Sequence, residues 1–214
     1  LGQLEGSAKM FETAVNIKSD YAEAHKNLGI TLKDLGHLDA AVESLNRAIA
    51  IEPNYVDAHY NLAITFKDLN QLDDAVKSYQ KVIEVNPNFA QAYNNLGNLL
   101  KDLGQTDEAI KNYQKAIEIN PNFAHAYNNL GNAFKDLEKL IEAVSCYEKA
   151  IEGNPNFSEA HNNLGNAFKD LGELDNAINS YQKAISINPK FAEAYYNLGT
   201  TFKKINQKEK ALTL

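Results

Sequence analysis

The chain has 214 residues, 44% of them hydrophobic, with 28 acidic against 21 basic side chains and a formal charge of −7. That composition suits a soluble chain with a substantial core, and without a basic block it lacks the electrostatic source of tight nucleic-acid binding. No apolar run approaches the roughly 18 residues of a membrane span, and the lone Cys146 excludes an internal disulfide framework and a multi-cysteine metal site.

From the first residues the pattern is helical. Residues 1–21 read as the second member of a helix pair, because Leu1-Gly2-Gln3-Leu4 matches Leu35-Gly36-His37-Leu38 and Ala14 matches Ala48. The tripeptide Asn-Leu-Gly, once Asn-Leu-Ala, then begins at Asn27, Asn61, Asn95, Asn129, Asn163 and Asn197, every interval being 34 residues. Pro53, Pro87, Pro121, Pro155 and Pro189 keep that interval and are all the prolines in the chain. Fixed spacing of this kind marks a repeat architecture. Five complete units are expected over 22–55, 56–89, 90–123, 124–157 and 158–191, and residues 192–214 supply a further first helix and the start of its mate.

The third unit shows why each repeat is a helix pair. Ala92, Leu96, Leu99, Leu100 and Leu103 lie on one helical face, and Gly104-Gln105 interrupts the pattern. Ala109, Ile110, Tyr113, Ala116, Ile117 and Ile119 then form the face of a second helix. Asp107, like Asp39, Asp73 and Asp175, sits where it caps or favours that helix's start. Asn120-Pro121 ends it, since proline lacks the amide donor and disfavours helix in the residue before it. Asn122 is expected to cap the next first helix. Neither helix covers its apolar face alone, so neighbouring pairs must stack. Phe66, Phe134, Phe168 and Phe202 with Leu32 and Leu100 form one packing row, and Tyr79, Tyr113, Tyr147 and Tyr181 with Leu45 form another. Gly29, Gly97, Gly131, Gly165 and Gly199, with Ala63, are the small residues where paired helices approach closely, so Gly131→Leu should overpack by roughly 1–3 kcal/mol.

These residues resemble the tetratricopeptide repeat, carried in the third unit by Tyr93, Leu96-Gly97, Leu100, Ala109, Tyr113, Ala116 and Pro121. The match covers essentially the whole chain, with Val82 in place of one alanine, Ser19 in place of the first proline, and His25, His59 and His161 where other units carry Tyr93, Tyr127 and Tyr195. The resemblance implies an all-α fold, a right-handed superhelical solenoid of antiparallel helix pairs running as one array over 1–214. It also implies that the first helices line a concave inner surface that binds a protein or peptide partner. Neither end carries an obvious polar capping element, so the chain is expected to be a piece of something longer and to self-associate through its end helices.

The inner surface should be formed by first-helix positions beside the buried stripe. One row runs Glu23, Asp57, Gln91, His125, Glu159, Glu193, and the next runs Lys26, Tyr60, Asn94, Asn128, Asn162, Tyr196. A third runs Ile30, Ile64, Asn98, Asn132, Asn166, Thr200, and a fourth is wholly lysine, Lys33, Lys67, Lys101, Lys135, Lys169 and Lys203. With Asn95, Asn129 and Asn163 the middle three units place nine asparagines on one wall. An asparagine amide offers two donors and an acceptor, matching a peptide main chain. The expected peptide-binding set is therefore Asn94, Asn95, Asn98, Lys101, Asn128, Asn129, Asn132, Lys135, Asn162, Asn163, Asn166 and Lys169. The competing reading gives the Asn27 row to bonds between neighbouring repeats and the lysines, each beside an aspartate, to a solvated face.

The asparagine ladder looks most like the peptide-guiding superhelix of O-linked N-acetylglucosamine transferase type proteins, so the alternative function is the substrate-recruiting region of a larger glycosyltransferase. Tetratricopeptide clamps for chaperone tails are a weaker likeness, because Lys26 fits one site and Ile30 stands where an asparagine is expected. No phosphate-binding loop, His-Glu-x-x-His or Gly-x-Ser-x-Gly motif occurs. Cys146 falls where Ser44, Ser78, Asn112 and Ser180 stand, reading as a small helix-surface residue and not a nucleophile. The expectation is a non-enzymatic scaffold without cofactor or metal, binding neither nucleic acid nor membrane. A cytoplasmic setting suits its single cysteine.

Overall fold

The computed structural model describes the backbone of residues 2–212 and the side chains of residues 2–206. All its regular structure is helical, in two compact units, Leu1–Leu103 and Gly104–Leu214. The first unit holds α1 (Gly2–Ile17), α2 (Ala22–Asp34), α3 (Leu38–Ile51), α4 (Val56–Asp68), α5 (Leu72–Val85) and α6 (Ala90–Asp102). The second holds α7 (Thr106–Ile119), α8 (Ala124–Asp136), α9 (Leu140–Gly153), α10 (Ser158–Leu171), α11 (Leu174–Ile187) and α12 (Ala192–Leu212). Within a unit each helix packs on its sequence neighbours, and first helices also meet the next first helix, α2 with α4 in one unit and α8 with α10 and α10 with α12 in the other. Contacts confined to a helix pair and the pairs adjoining it are what makes an all-α helical solenoid.

Two kinds of turn impose this order. At the end of α2, Gly36 takes φ +82°, its N–H bonds the Lys33 carbonyl at 2.9 Å, and the His37 N–H bonds the Leu32 carbonyl at 2.9 Å. That pair of bonds is a Schellman motif, and it reverses the chain within three residues so that α3 must run antiparallel to α2. The same position takes φ 59° at Asn70 and at Glu138, where no glycine is available. Between pairs, the asparagine before four of the five prolines closes the turn: Asn86, Asn120 and Asn154 accept from the N–H two residues on at 3.2 Å, and Asn188 does so at 3.1 Å, while Glu52 precedes Pro53.

This corrects the expected cap. Asn122 does not cap α8: the N-cap position is Phe123, without a side-chain bond. The preceding asparagine and the proline fix the turn, which places the half-buried aromatic ring at the helix entrance. Likewise Asp39, Asp73, Asp107 and Asp175 lie in the first turns of α3, α5, α7 and α11, where they complement the helix dipole, while the N-cap positions belong to His37, Gln71, Gln105 and Glu173.

The tyrosine row is packed as the periodicity requires, whereas in the phenylalanine row Phe66, Phe134 and Phe168 are half-buried and Phe202, expected to pack with them, is 46% exposed. Leu45, Tyr113, Tyr147 and Tyr181 are fully buried and Tyr79 is 1% exposed. In the first unit Ala8, Leu28, Leu32 and Ala41 form a cluster with Phe11, Val15 and Leu35, and in the second Ala143, Tyr147, Leu164 and Ala167 gather Phe134, Val144, Ile151 and Phe168. Close approach requires the small residue at Gly29, Gly131 and Gly165, whereas Gly199, expected to share that role, has nothing within 4 Å of its Cβ site among the described residues. A Cβ on Gly131 would lie 2.7 Å from Tyr147 Cε1, one on Gly165 2.6 Å from Tyr181 Cε1, and one on Gly29 2.6 Å from Leu45 Cγ. Cys146, expected at a helix surface, is buried, as are Ser78 and Ser180 at the same position, because this face of the second helix is covered.

Candidate functional site

The expected binding residues occupy first helices, and the structure sorts them by depth. In the first unit, Asn94 of α6 is buried and donates to Asn95 Oδ1 at 3.3 Å. Asn95 is half-buried and donates through Nδ2 to the Tyr60 hydroxyl on α4 at 2.8 Å. Asn98 and Lys101 are half-buried, and Asn98 lines a cleft of about 240 Å³ with Ile64, Lys67, Asp68, Tyr79 and Asn95. Tyr60 packs edge-on against Tyr79 with ring centres 5.9 Å apart and lies 5.0 Å from the Phe89 ring.

In the second unit the same positions form an amide network. Asn163 donates to Asn128 Oδ1 at 3.0 Å and to Asn132 Oδ1 at 3.3 Å. Asn197 donates to Asn162 Oδ1 at 3.1 Å, and Asn162 donates to Glu193 at 3.1 Å. Asn128 and Asn162 are 2% and 1% exposed, so their role is inside the stack. Asn129, like Asn95 and Asn163, is half-buried. Asn95, Asn163 and Asn197 therefore each bond the side chain 35 residues earlier, on the preceding first helix. This is the inter-repeat use that competes with ligand contact, and it holds successive repeats in register.

A different arrangement governs Asn132 and Asn166. Both are half-buried, and their side-chain oxygens accept from the Tyr147 hydroxyl at 2.8 Å and the Tyr181 hydroxyl at 2.9 Å. The tyrosine rings are locked in the core, and burial raises both phenol pKa values above the usual range, so each hydroxyl stays a donor. With its oxygen claimed by a fixed donor, each amide has its flip determined and its nitrogen turned away from the core. Sequence reasoning read these tyrosines as packing alone. The available signal was that Asn98, Asn132 and Asn166 occur in the units that carry Tyr113, Tyr147 and Tyr181 and Ile30 goes with Leu45, with Ile64 beside Tyr79 as the one exception.

Along the fourth row, Lys101, Lys135 and Lys169 are half-buried, and Lys135 lines a second cleft with Glu138, Leu140 and Asp170. The histidines of the aromatic row close the inter-repeat turns, donating through Nε2 to the Ser19 carbonyl at 3.1 Å from His25, to that of Pro53 at 2.9 Å from His59 and to that of Pro155 at 3.2 Å from His161. His125 is exposed beside the amide network, with its ring 4.7 Å from that of Phe157. Among the described residues no group of three or more histidine, cysteine or acidic side chains is placed to hold a metal, and no helix is long and apolar enough to cross a membrane.

Comparison with known proteins fits this geometry. A TPR repeat family model matches residues 31–69, 65–104, 97–137, 131–172 and 165–206. Among solved structures the chain is similar to MamA, at 27% identity and TM-score 0.70 over 80% of this chain and 94% of that one. It is similar in fold to pilF of Pseudomonas aeruginosa, at 22% identity and TM-score 0.77 over 90% and 87% of the two chains. It is also similar in fold to YrrB, described as a TPR protein with an unusual peptide-binding site, at 22% identity and TM-score 0.69 over 88% and 97%. Comparison with curated proteins found no match. Nothing in these likenesses points to the glycosyltransferase-type ladder in particular. Stacked hairpins of this kind serve as scaffolds for protein interaction, and the chain belongs to the tetratricopeptide-repeat family.

Proposed function

We propose that the chain holds an extended segment of a partner polypeptide along its first-helix face, with Asn132 and Asn166 as the central main-chain contacts. The observation that carries this reading is the pair of tyrosine-locked amides, Tyr147 to Asn132 at 2.8 Å and Tyr181 to Asn166 at 2.9 Å. Each leaves an oriented N–H pair one repeat from the next. First helices of stacked repeats lie about 8–10 Å apart, and an extended chain in the polyproline II conformation advances about 3.1 Å per residue with about three residues per turn. One amide per repeat thus meets a carbonyl at about every third residue, which gives affinity with little dependence on sequence. Because the donors are already oriented, a partner does not have to order them on binding. Lys135 and Lys169 beside them add attraction for acidic groups, and Asn128, Asn162 and Asn163 support the amides from behind.

The test separates donor from scaffold. Asn132→Asp and Asn166→Asp keep an acceptor for each tyrosine and delete the amide donor. A peptide selected from a random displayed library on the wild-type chain should bind the double variant at least tenfold more weakly. Circular dichroism and the unfolding midpoint should stay the same. Undiminished affinity in the double variant would refute the reading.

A further inference from the structure

The second repeat breaks a rule that the fourth and fifth repeats keep. Tyr147 and Tyr181 each donate to an asparagine on the paired first helix, but at that position Tyr79 faces Ile64. The polar side chain that reaches the Tyr79 hydroxyl is Asn95, and it comes as a donor: its Nδ2 serves the Tyr60 hydroxyl at 2.8 Å and favours the phenolate form of both tyrosines. The Asn95 oxygen already accepts from Asn94. Asp68 acts on Tyr79 by its charge and accepts no hydrogen bond from it among the described residues. Tyr79 is 1% exposed and lines the cleft of about 240 Å³; among the described residues no buried side-chain oxygen lacks a partner, so its O–H, which has no protein acceptor there, is reached by solvent from the cleft.

The walls of that cleft define what it takes. Its lining includes Ile64, which is apolar, Tyr79 and the amides of Asn95 and Asn98, while Lys67 and Asp68 line the same cleft with opposite charges. Lys67 forms no ion pair among the described residues. The volume lies below the roughly 300–1,000 Å³ of small-molecule sites, so one side chain fits and a cofactor does not. An acceptor is needed at Tyr79 and Lys67, a donor at Asp68, and an aliphatic stem against Ile64. A carboxamide on a short stem supplies all three, whereas a carboxylate would face Asp68. We infer that the Ile64–Tyr79 cleft is a specificity subsite for a glutamine side chain of the bound segment. This rests on the peptide-binding reading for its biological use, though the cleft itself is tested without it.

The probes are the N-acetyl methylamides of glutamine, glutamate, leucine and alanine, titrated into the isotope-labelled chain while the Ile64 methyl and Asn95 side-chain NH₂ resonances are followed. The glutamine probe should move both and bind about three- to tenfold tighter than the alanine probe, as expected of the net gain when one hydrogen bond to water is exchanged for one to the probe. Ile64→Asn gives Tyr79 the acceptor that its counterparts have, a pairing the fourth and fifth repeats already fold around, and Tyr79→Phe removes the donor. Either should reduce the glutamine probe to the alanine level. Equal binding of all four probes, or a glutamine preference that survives both variants, overturns the subsite. Glutamine binding that persists when no selected longer peptide binds would sink the peptide reading and leave the subsite standing. The opposite pattern would remove the subsite alone.

Discussion

Replacing Gly131 by alanine tests the close approach on which each helix pair depends. The new Cβ would sit 2.7, 2.9 and 3.1 Å from Cε1, Cδ1 and Cζ of Tyr147. Carbon atoms pack at about 3.5–4.0 Å, so the ring must retreat by roughly half an ångström or more. It has little room to do so, being fully buried and held by its hydroxyl to Asn132 at 2.8 Å. Overpacking of this kind costs about 1–3 kcal/mol, and alanine returns about 1 kcal/mol of helix propensity. Gly199 occupies the same repeat position with nothing among the described residues within 4 Å of its Cβ site, so Gly199→Ala receives the propensity gain alone. The difference between the two variants is then the packing cost, about 1–3 kcal/mol. With urea slopes of about 1–3 kcal/mol/M, that separates the unfolding midpoints by roughly 1 M. Pairing Gly131→Ala with Asn132→Ile reproduces the Ala63–Ile64 pair of the second repeat, frees the ring from its tether, and should cost less than the two single changes summed. A Gly131→Ala midpoint at or above that of Gly199→Ala would refute the packing argument.

Three further outcomes follow from individual residues. Glu138 is an exposed residue at φ 59°, so Glu138→Gly should raise the unfolding midpoint by the equivalent of about 0.5–1 kcal/mol, and an unchanged or lowered midpoint would show the turn to be unstrained. Burial lowers the His161 pKa below its usual value, with the Lys183 charge adding to this and the Pro155 carbonyl bond opposing it. The unfolded chain therefore takes up that proton first as pH falls. Stability from this group is complete above about pH 6.5 and is lost as pH falls toward the folded value. His161→Tyr should show a smaller drop in melting temperature between pH 7.5 and 5, and an equal drop would contradict it. Burial and the Glu142 charge push the Cys146 thiol up to about 11. At pH 8 it should hold about a hundredfold less thiolate than an ordinary cysteine, so iodoacetamide should label it far more slowly in the folded chain than in urea. Equal rates would show that it is open to solvent.

The helix pairs and their partners were legible because a 34-residue interval repeats every packing position six times over. Glycine at 29, 131 and 165 was legible for the same reason, and a Cβ at each would meet the paired helix. The asparagine wall was legible only as a set of positions. Asn94, Asn128 and Asn162 lie at the edge between the buried stripe and the exposed face, and sequence spacing does not say on which side such a residue falls. Neighbouring first helices cover them, so three expected ligand contacts are buried. The tyrosine hydroxyls were hidden for another reason. Tyr147 and Tyr181 read as rings in a packing row, and their acceptors lie 15 residues earlier on the paired helix, beyond the reach of helical periodicity. Asn122 failed as a cap because capping preference ranks a residue type without knowing which of two asparagines around a proline the turn will engage.

The central claim is that the amide nitrogens of Asn132 and Asn166 meet the carbonyls of a bound main chain. Following their side-chain NH₂ resonances while a library-selected peptide is added tests this directly. Both pairs should move downfield together and exchange more slowly with water as the peptide saturates. A peptide that binds while both pairs stay where they were would contradict the account.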